Sequence, residues 1–407
     1  WVFVARGFAV YHVMNITDVD DKTIQKSMTE GKPLLDITDY YTDLFKKDLS
    51  SLKIIPADVY PEATKHVDAM VQIIEKLIDK KYAYVTKDGS VFFSINTYKD
   101  DGALTRIHMD EMRHSDRVSS DEYSVDNPQD FALWKAYKDE DGDVSWDSPW
   151  GKGRPGWHME CSAMSMAYLG DHFDIHCGGV DNKFPHHENE IAQSVCAVDT
   201  PFVNFWLHSE FLLVDGGKMS KSLGNFYCIP DLFEKGFRAE EIRYIMLSAH
   251  YRTKVNFTLD KQHEAKVSIR RIQELQLRLE EMDSEVCDGF PTEMEQFNIA
   301  IENDLDSPNA LAVFFEWIRN TNSKLDEKAF TESDVSKGLN FIAYFDSIYG
   351  ILPKASSAPK DVIGLVEERE DARQNKDWEK SDKIRDQILE KGWTVKDKID
   401  GPKLTQK

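Results

Sequence analysis

A chain of 407 residues is long enough for two or more domains, and a hydrophobic content of 41% is that of an ordinary globular protein. The formal net charge of −22 excludes a chain that is basic throughout, so any contact with a polyanion must come from a local cluster of Lys and Arg. Cys161, Cys177, Cys196, Cys228 and Cys287 are too few for a disulfide framework, no run of about 18 apolar residues offers a membrane span, and residues 1–14 lack the basic start of a signal peptide, so a reducing cytoplasm is the expected compartment.

Val2, Val4, Val10, Tyr11 and Val13 predict a strand already under way at the start of the chain. Thr38 to Leu49 has helical spacing, and Pro61 opens a longer predicted helix whose Ala63, Val67, Met70, Ile74 and Leu77 mark one apolar face. Tyr82–Thr86 and Ser90–Ile95 flank Asp88-Gly89 as a hairpin would. Residues 100–150 are acidic and turn-rich, with Asp139-Glu140-Asp141-Gly142-Asp143 a loop, so residues 70–146 read as an insertion that interrupts a sheet. Gly151-Lys152-Gly153-Arg154-Pro155-Gly156 superficially suggests a phosphate cradle, but Pro155 and the lack of a Gly-Lys-Ser/Thr ending separate it from a P-loop.

Phe173-Asp174-Ile175-His176 predicts a buried strand ending at a Gly-rich turn, where an open α/β sheet places its ligand crevice. Glu240 to Leu247 and Leu259 to Met282 are helical by pattern, and residues 291–350 continue as helices, with Ala310, Leu311, Val313, Phe314 and Trp317 as the apolar stripe of a bundle. The tail predicts two short amphipathic helices, near 360–375 and 377–391, the second ending at Gly392. Trp378 and Trp393 can either pack these helices together or stack on unpaired bases.

Two constellations carry chemistry. In Lys218-Met219-Ser220-Lys221-Ser222, two ammonium groups and two hydroxyls sit on a loop flanked by Gly216, Gly217 and Gly224, a combination suited to a triphosphate. The second joins Gly156-Trp157-His158-Met159-Glu160-Cys161 to Phe184-Pro185-His186-His187-Glu188-Asn189-Glu190. Pro185 at a first helical turn places His186 and Glu190 on one face. With Cys161 they offer a thiolate, an imidazole and a carboxylate, a set that suits zinc.

The Lys218–Ser222 run resembles the KMSKS signature loop of class I aminoacyl-tRNA synthetases. Together with the Cys/His/Glu constellation, and with Asn15-Ile16-Thr17-Asp18-Val19-Asp20-Asp21 near the start, the chain resembles the cysteinyl-tRNA synthetase family over nearly its whole length. The resemblance implies adenylation of L-cysteine by ATP, with Mg2+ on the phosphates, and transfer of the acyl group to tRNA(Cys). It implies one zinc ion that binds the substrate thiol, with Cys161, His186 and Glu190 matching three of four protein ligands. Thr17, Trp157 and His176 match residues around the bound cysteine, Asp181 an acidic residue near its ammonium and the nucleotide, and Lys218 and Lys221 the loop lysines.

In that reading the fold is α/β. A Rossmann-type parallel-sheet catalytic domain occupies residues 1–69 and 147–201, interrupted by a connective insertion over 70–146. A KMSKS and stem-contact region follows over 202–267, then an all-α bundle that binds tRNA over 268–355 and a small C-terminal helical region over 356–407. Arg238, Arg243, Arg252, Lys254, Lys266, Arg270 and Arg271 are the basic residues expected to meet the tRNA. The family's fourth zinc ligand and its His-Ile-Gly-His-type motif precede the position of Trp1, and residues 1–30 contain no substitute, so impaired adenylation by this polypeptide alone is expected. The mycothiol cysteine ligases look similar around both constellations but need no anticodon reader, so the helical stretch 268–407 favours the tRNA ligase.

Overall fold

The computed structural model describes residues 1–100, 102–106, 130–284, 287–353, 359–398 and 401–406. They fall into two compact units, Trp1–Ile351 and Leu352–Lys407.

The first unit begins with a short helix, α1 (Val2–Ala5), where a strand is predicted. The Trp1 carbonyl accepts the Ala5 N–H at 2.8 Å and the Val2 carbonyl that of Arg6 at 3.0 Å. The turn buries none of its residues, so the β-branched pattern has no sheet face to serve and local hydrogen bonds decide. Of the residues in that pattern, Val13 alone makes a bridge, parallel to Val59, and Ile16 pairs likewise with Glu62. Helix α2 (Asp21–Glu30) is capped by Asp20: the Asp20 carboxylate accepts the Thr23 N–H at 2.6 Å, and Thr23 Oγ1 accepts the Asp20 N–H at 2.8 Å. After α3 (Leu34–Ser51), the Pro61 carbonyl accepts the Ile16 N–H at 2.8 Å, so the next long helix, α4 (Val67–Asp79), starts later than Pro61 suggests. Its buried face is Val67, Met70, Ile73, Ile74 and Leu77, each large side chain contributing about 1.5–3 kcal/mol by leaving water.

Strands β1 (Ala83–Val85), β2 (Val91–Phe93), β3 (Phe131–Ala136) and β4 (Gly153–Pro155) form an antiparallel sheet in that order, the first two joined by the predicted hairpin. The sheet shares one core with α4, α5 (Trp157–Leu169) and α6 (Glu188–Val198), including Met70, Phe93, Leu133, Trp134, Met159 and Ala192. The glycine-rich run 151–156 belongs to this packing. A Cβ on Gly153 or Gly156 would collide with the carbonyls of Lys135 and Ala132 on β3, and Arg154 is buried in ion pairs with Asp21 and Asp141. Gly153 and Gly156 meet backbone and Arg154 meets carboxylates, so this part of the run is packing and not a phosphate cradle.

Strand β5 (Phe173–Gly179), α6 and β6 (Val203–Ser209) form a βαβ unit, with β5 and β6 parallel from Phe173 opposite Val203 to Gly179 opposite Ser209. Beyond it, β7 (Leu212–Val214) pairs antiparallel with β8 (Gly217–Lys218) and parallel with β9 (Val255–Phe257). Helices α7 (Ile229–Glu234) and α8 (Ala239–Leu247) lie between them in sequence. The bundle contains α9 (Lys261–Glu280), α10 (Glu293–Glu302), α11 (Ser307–Asp326) and α12 (Glu332–Tyr349). Of the predicted stripe on α11, Ala310, Leu311, Phe314 and Trp317 are buried in the core and Val313 is half-buried, and the Phe314 ring stacks on Phe345 with centroids 3.7 Å apart.

The second unit contains the two predicted helices, α13 (Lys360–Gln374) and α14 (Trp378–Glu390), and an unpredicted antiparallel hairpin of β10 (Trp393–Lys398) and β11 (Gly401–Gln406). Trp393 and Val395 turn inward onto Val362, Val366, Ile384 and Ile388, and the buried Arg369 holds Asp397 on β10 through two hydrogen bonds of 2.6 and 2.9 Å.

Arg243 on α8 is buried, and its guanidinium donates to the Tyr349 carbonyl at 2.9 and 2.7 Å and to the Leu52 carbonyl at 3.0 Å. It therefore ties together the C-terminal ends of α3 and α12 by satisfying carbonyls that helix geometry leaves open. Arg243→Met should lower stability by about 2 kcal/mol, because buried acceptors lose a charged donor. The expected readout is a lower midpoint in urea unfolding followed by tryptophan fluorescence; an unchanged midpoint would reject this role.

Candidate active site

Cys161 on α5, His186 in the wide turn that leads into α6, and Glu190 on α6 have ligand atoms that all lie within 4.8 Å of one another. The turn brings His186 Nε2 to 2.9 Å from Glu190 Oε1, and His176 Nε2, from β5, stands 3.5 Å from the other carboxylate oxygen. A second set, His176, His187 and Glu190, meets the same closeness and shares the carboxylate, so one pocket contains both. Gln193 on α6 fixes the two helices against each other, its amide donating to the His158 carbonyl at 2.5 Å and to Ser162 Oγ at 2.6 Å.

Glu190 is fully buried, yet neither of its oxygens has an aligned hydrogen-bond donor. Burial opposes its ionisation, while the facing imidazoles of His176, His186 and His187 favour it and set the net direction downward. Burial pushes His187 down to about 3, and burial with the neighbouring His186 does the same to His158, so both imidazoles are neutral at pH 7. The Cys161 thiol is pushed well up by burial and then by Glu190 and Glu160. A buried anion without a donor, beside an imidazole and a thiol that burial keeps protonated, is the environment that a thiophilic divalent cation would compensate. The donor set fits zinc.

Around the ligands, Trp157 stacks on the His186 ring with centroids 4.0 Å apart and is 46% exposed, while His176 lies against Trp206 at 4.7 Å. Asn15 Nδ2 reaches Cys161 Sγ at 3.6 Å and Thr17 Oγ1 at 3.5 Å. Asn15 and Thr17 also line a cavity of about 450 Å3 with Asp18, Asp20 and Tyr41. Asp181 follows β5 and is exposed; among the described residues no hydrogen bond or ion pair joins it to the ligand cluster.

The KMSKS loop starts at β8 and continues through a short turn, Lys221–Leu223, with both lysines exposed. Asn225 closes its base: Oδ1 accepts the Ser220 N–H at 2.8 Å, and Nδ2 donates to the carbonyls of Val214 and Lys218, each at 3.2 Å. Ser220 Oγ and Ser222 Oγ are 2.8 Å apart, and Lys221 Nζ lies over the Phe226 ring at 5.2 Å.

Much of the expected basic surface is otherwise engaged. Arg243 is internal, Arg238 pairs with Glu241, Arg252 with Asp304 and Arg270 with Glu274, while Arg271 lies over Phe315. Lys254 and Lys266 are exposed. Sequence reasoning missed His158, Asn15 and Asn225 as site residues. Their contacts join segments far apart in the chain or close a loop through backbone groups, and the adjacency of His158 to Trp157, one turn before Cys161, was the one available signal.

The family profile of the class I (C) tRNA synthetase catalytic domain matches residues 2–267, and that of the cysteinyl-tRNA ligase anticodon-binding domain matches residues 356–403. The chain is 45% identical over 420 residues to the cysteine–tRNA ligase of Chlamydia muridarum, covering 99% of this chain and 88% of the relative. The chain belongs to the cysteine–tRNA ligases. It is accordingly a class I aminoacyl-tRNA synthetase. The corresponding ligase of Protochlamydia amoebophila is 42% identical over 98% of this chain and 86% of its own. Methionyl-tRNA synthetase of Mycobacterium tuberculosis, solved with methionyl-adenylate, shares the fold of this ligase with a TM-score of 0.57 at 12% identity, over 86% of this chain and 84% of that one.

A Cβ on Gly178 of the ligase would lie 2.5 Å from His187 Cε1, and the His187 ring has no room to retreat because it packs on Trp206 at 4.8 Å and bonds His208 at 2.8 Å. Gly178→Ala should therefore cost about 1–3 kcal/mol by overpacking and shift the His187 ring resonances. Melting and histidine NMR check this, and a variant with native stability and spectrum would contradict it.

Proposed function

We propose that Cys161, His186 and Glu190 hold a zinc ion that reads the thiol of L-cysteine, and that the Lys218–Ser222 loop receives the triphosphate of ATP. The observation that carries the first part is the buried Glu190 carboxylate, which has no aligned donor and faces an imidazole and a thiol. Bound there, zinc would supply a preference for a soft thiolate over a hydroxyl, which separates cysteine from serine. Thr17, Trp157 and His176 wall the pocket, and Asp181 offers a carboxylate to the substrate ammonium. Lys218 and Lys221, with Met219, Ser220 and Ser222, stabilise the charge that develops as pyrophosphate leaves, together with Mg2+ brought by ATP.

In the reaction of a cysteine–tRNA ligase the acyl group passes from the adenylate to the tRNA. For anticodon stacking we favour Trp378 over Trp393: Trp378 is exposed and lies beside the Arg373 guanidinium at 5.7 Å, whereas Trp393 is buried in the core of its unit. A reducing cytoplasm is the setting we assign, in keeping with five unpaired cysteines and with the lack, among the described residues, of any helix long and apolar enough to cross a membrane.

Titration with Co(II) tests the metal reading directly. Addition of cysteine should produce a thiolate-to-metal absorption band that serine does not, and Cys161→Ala or Glu190→Ala should remove it; a band indifferent to both substitutions would refute the ligand set. Trp378→Ala should weaken binding of tRNA(Cys) by about 1–3 kcal/mol, the worth of one stacked base, without changing the metal response. Filter binding across a salt series measures it, and equal affinity would reassign the tryptophan to packing.

A further inference from the structure

His158 and His186 face each other through like atoms, Nδ1 to Nδ1, at 2.7 Å, with ring centroids 4.9 Å apart. A contact this short between two imidazole nitrogens holds one proton, so one ring donates and the other accepts. The surroundings of Glu190 decide which. If His158 donated, the proton of His186 would sit on Nε2, 2.9 Å from Glu190 Oε1, and would bond it. Yet that nitrogen and that oxygen are out of hydrogen-bond alignment, and both Glu190 oxygens lack a donor.

We infer that His158 is a positioning residue for the metal ligand His186: its Nδ1 accepts the His186 Nδ1–H and leaves His186 Nε2 bare toward the ion. This rests on the metal reading proposed above. Ligating histidines generally donate their other ring N–H to a hydrogen-bond acceptor, most often a carboxylate, a carbonyl or water, which fixes tautomer and orientation; here the acceptor is an imidazole nitrogen. His158 is itself well placed for the task. Gln193 grips its carbonyl at 2.5 Å, and the Phe131 ring meets its imidazole edge-on with centroids 5.6 Å apart, so the acceptor is held from both backbone and side chain. Cys161 lies one turn further along the same helix, so one rigid element supplies a ligand and the partner that orients another.

Two measurements on the full chain test this. In the zinc-loaded wild type, long-range 1H–15N correlation of the twelve histidines, with His158 assigned by loss of its signals in His158→Asn, should show His186 protonated at Nδ1 and His158 bare at Nδ1. The reverse assignment overturns the inference and needs no variant to be stable. Second, in chelator competition for zinc, His158→Leu should lower affinity about 10–100-fold. His158→Asn should recover most of that loss, because its amide oxygen can stand where Nδ1 stood. If the wild type binds zinc through Cys161 and Glu190 while His158→Leu binds equally well, this inference alone fails. Zinc uptake that ignores Glu190→Ala fails the metal reading itself.

Discussion

A carboxylate buried without a hydrogen-bond donor is the constraint around which the catalytic half of this protein is arranged. Removing a charge from water is costly unless something compensates it, and Glu190 has three imidazoles around it but no aligned N–H. The pocket tolerates this only because its walls are rigid. Helices α5 and α6 are locked by the contacts of Gln193 with Ser162 and His158, and β5 brings His176 to the far side. The antiparallel sheet of β1–β4 and helix α4 pack behind those helices in one core. In the metal reading proposed above, the buried carboxylate would call for a cation, and the neighbouring thiol would decide which kind.

The remaining charge of the molecule is distributed by a different logic. Several arginines act as mortar: Arg243, expected to meet the tRNA, satisfies helix-end carbonyls, while Arg154 joins two carboxylates and Arg369 anchors a strand through Asp397. A guanidinium can do this because it offers several donors in a fixed fork. With a net charge of −22, any attraction for a polyanion must be local; Lys254 and Lys266 are exposed, as is Trp378 beside Arg373.

Legibility in the sequence followed the range of the interaction. His186 and Glu190 could be paired because i, i+4 spacing is local, and the β1–β2 hairpin because Asp-Gly is a turn signal in itself. The α11 stripe was legible for the same reason. The strand expected over Val2–Val13 was not formed because strand propensity needs a partner to pair with, and Val2–Ala5 closes its own turn instead. The β10–β11 hairpin was missed because only Trp393 and Val395 alternate inward before Lys396, Asp397 and Lys398 blur the pattern. His158 and Asn15 gain their meaning only from neighbours 28 and 146 residues away, a distance no local period reports.

The base of the KMSKS loop has a mechanical consequence. Asn225 joins the carbonyls of Val214 and Lys218 to the amide of Ser220 with one side chain, so the neck of the loop is stitched while its tip projects into solvent. A segment pinned in that way is closed on itself at its neck, so its residues are held in one common frame. Lys218 and Lys221 then share one frame, so the spacing of their two positive charges is set by the neck.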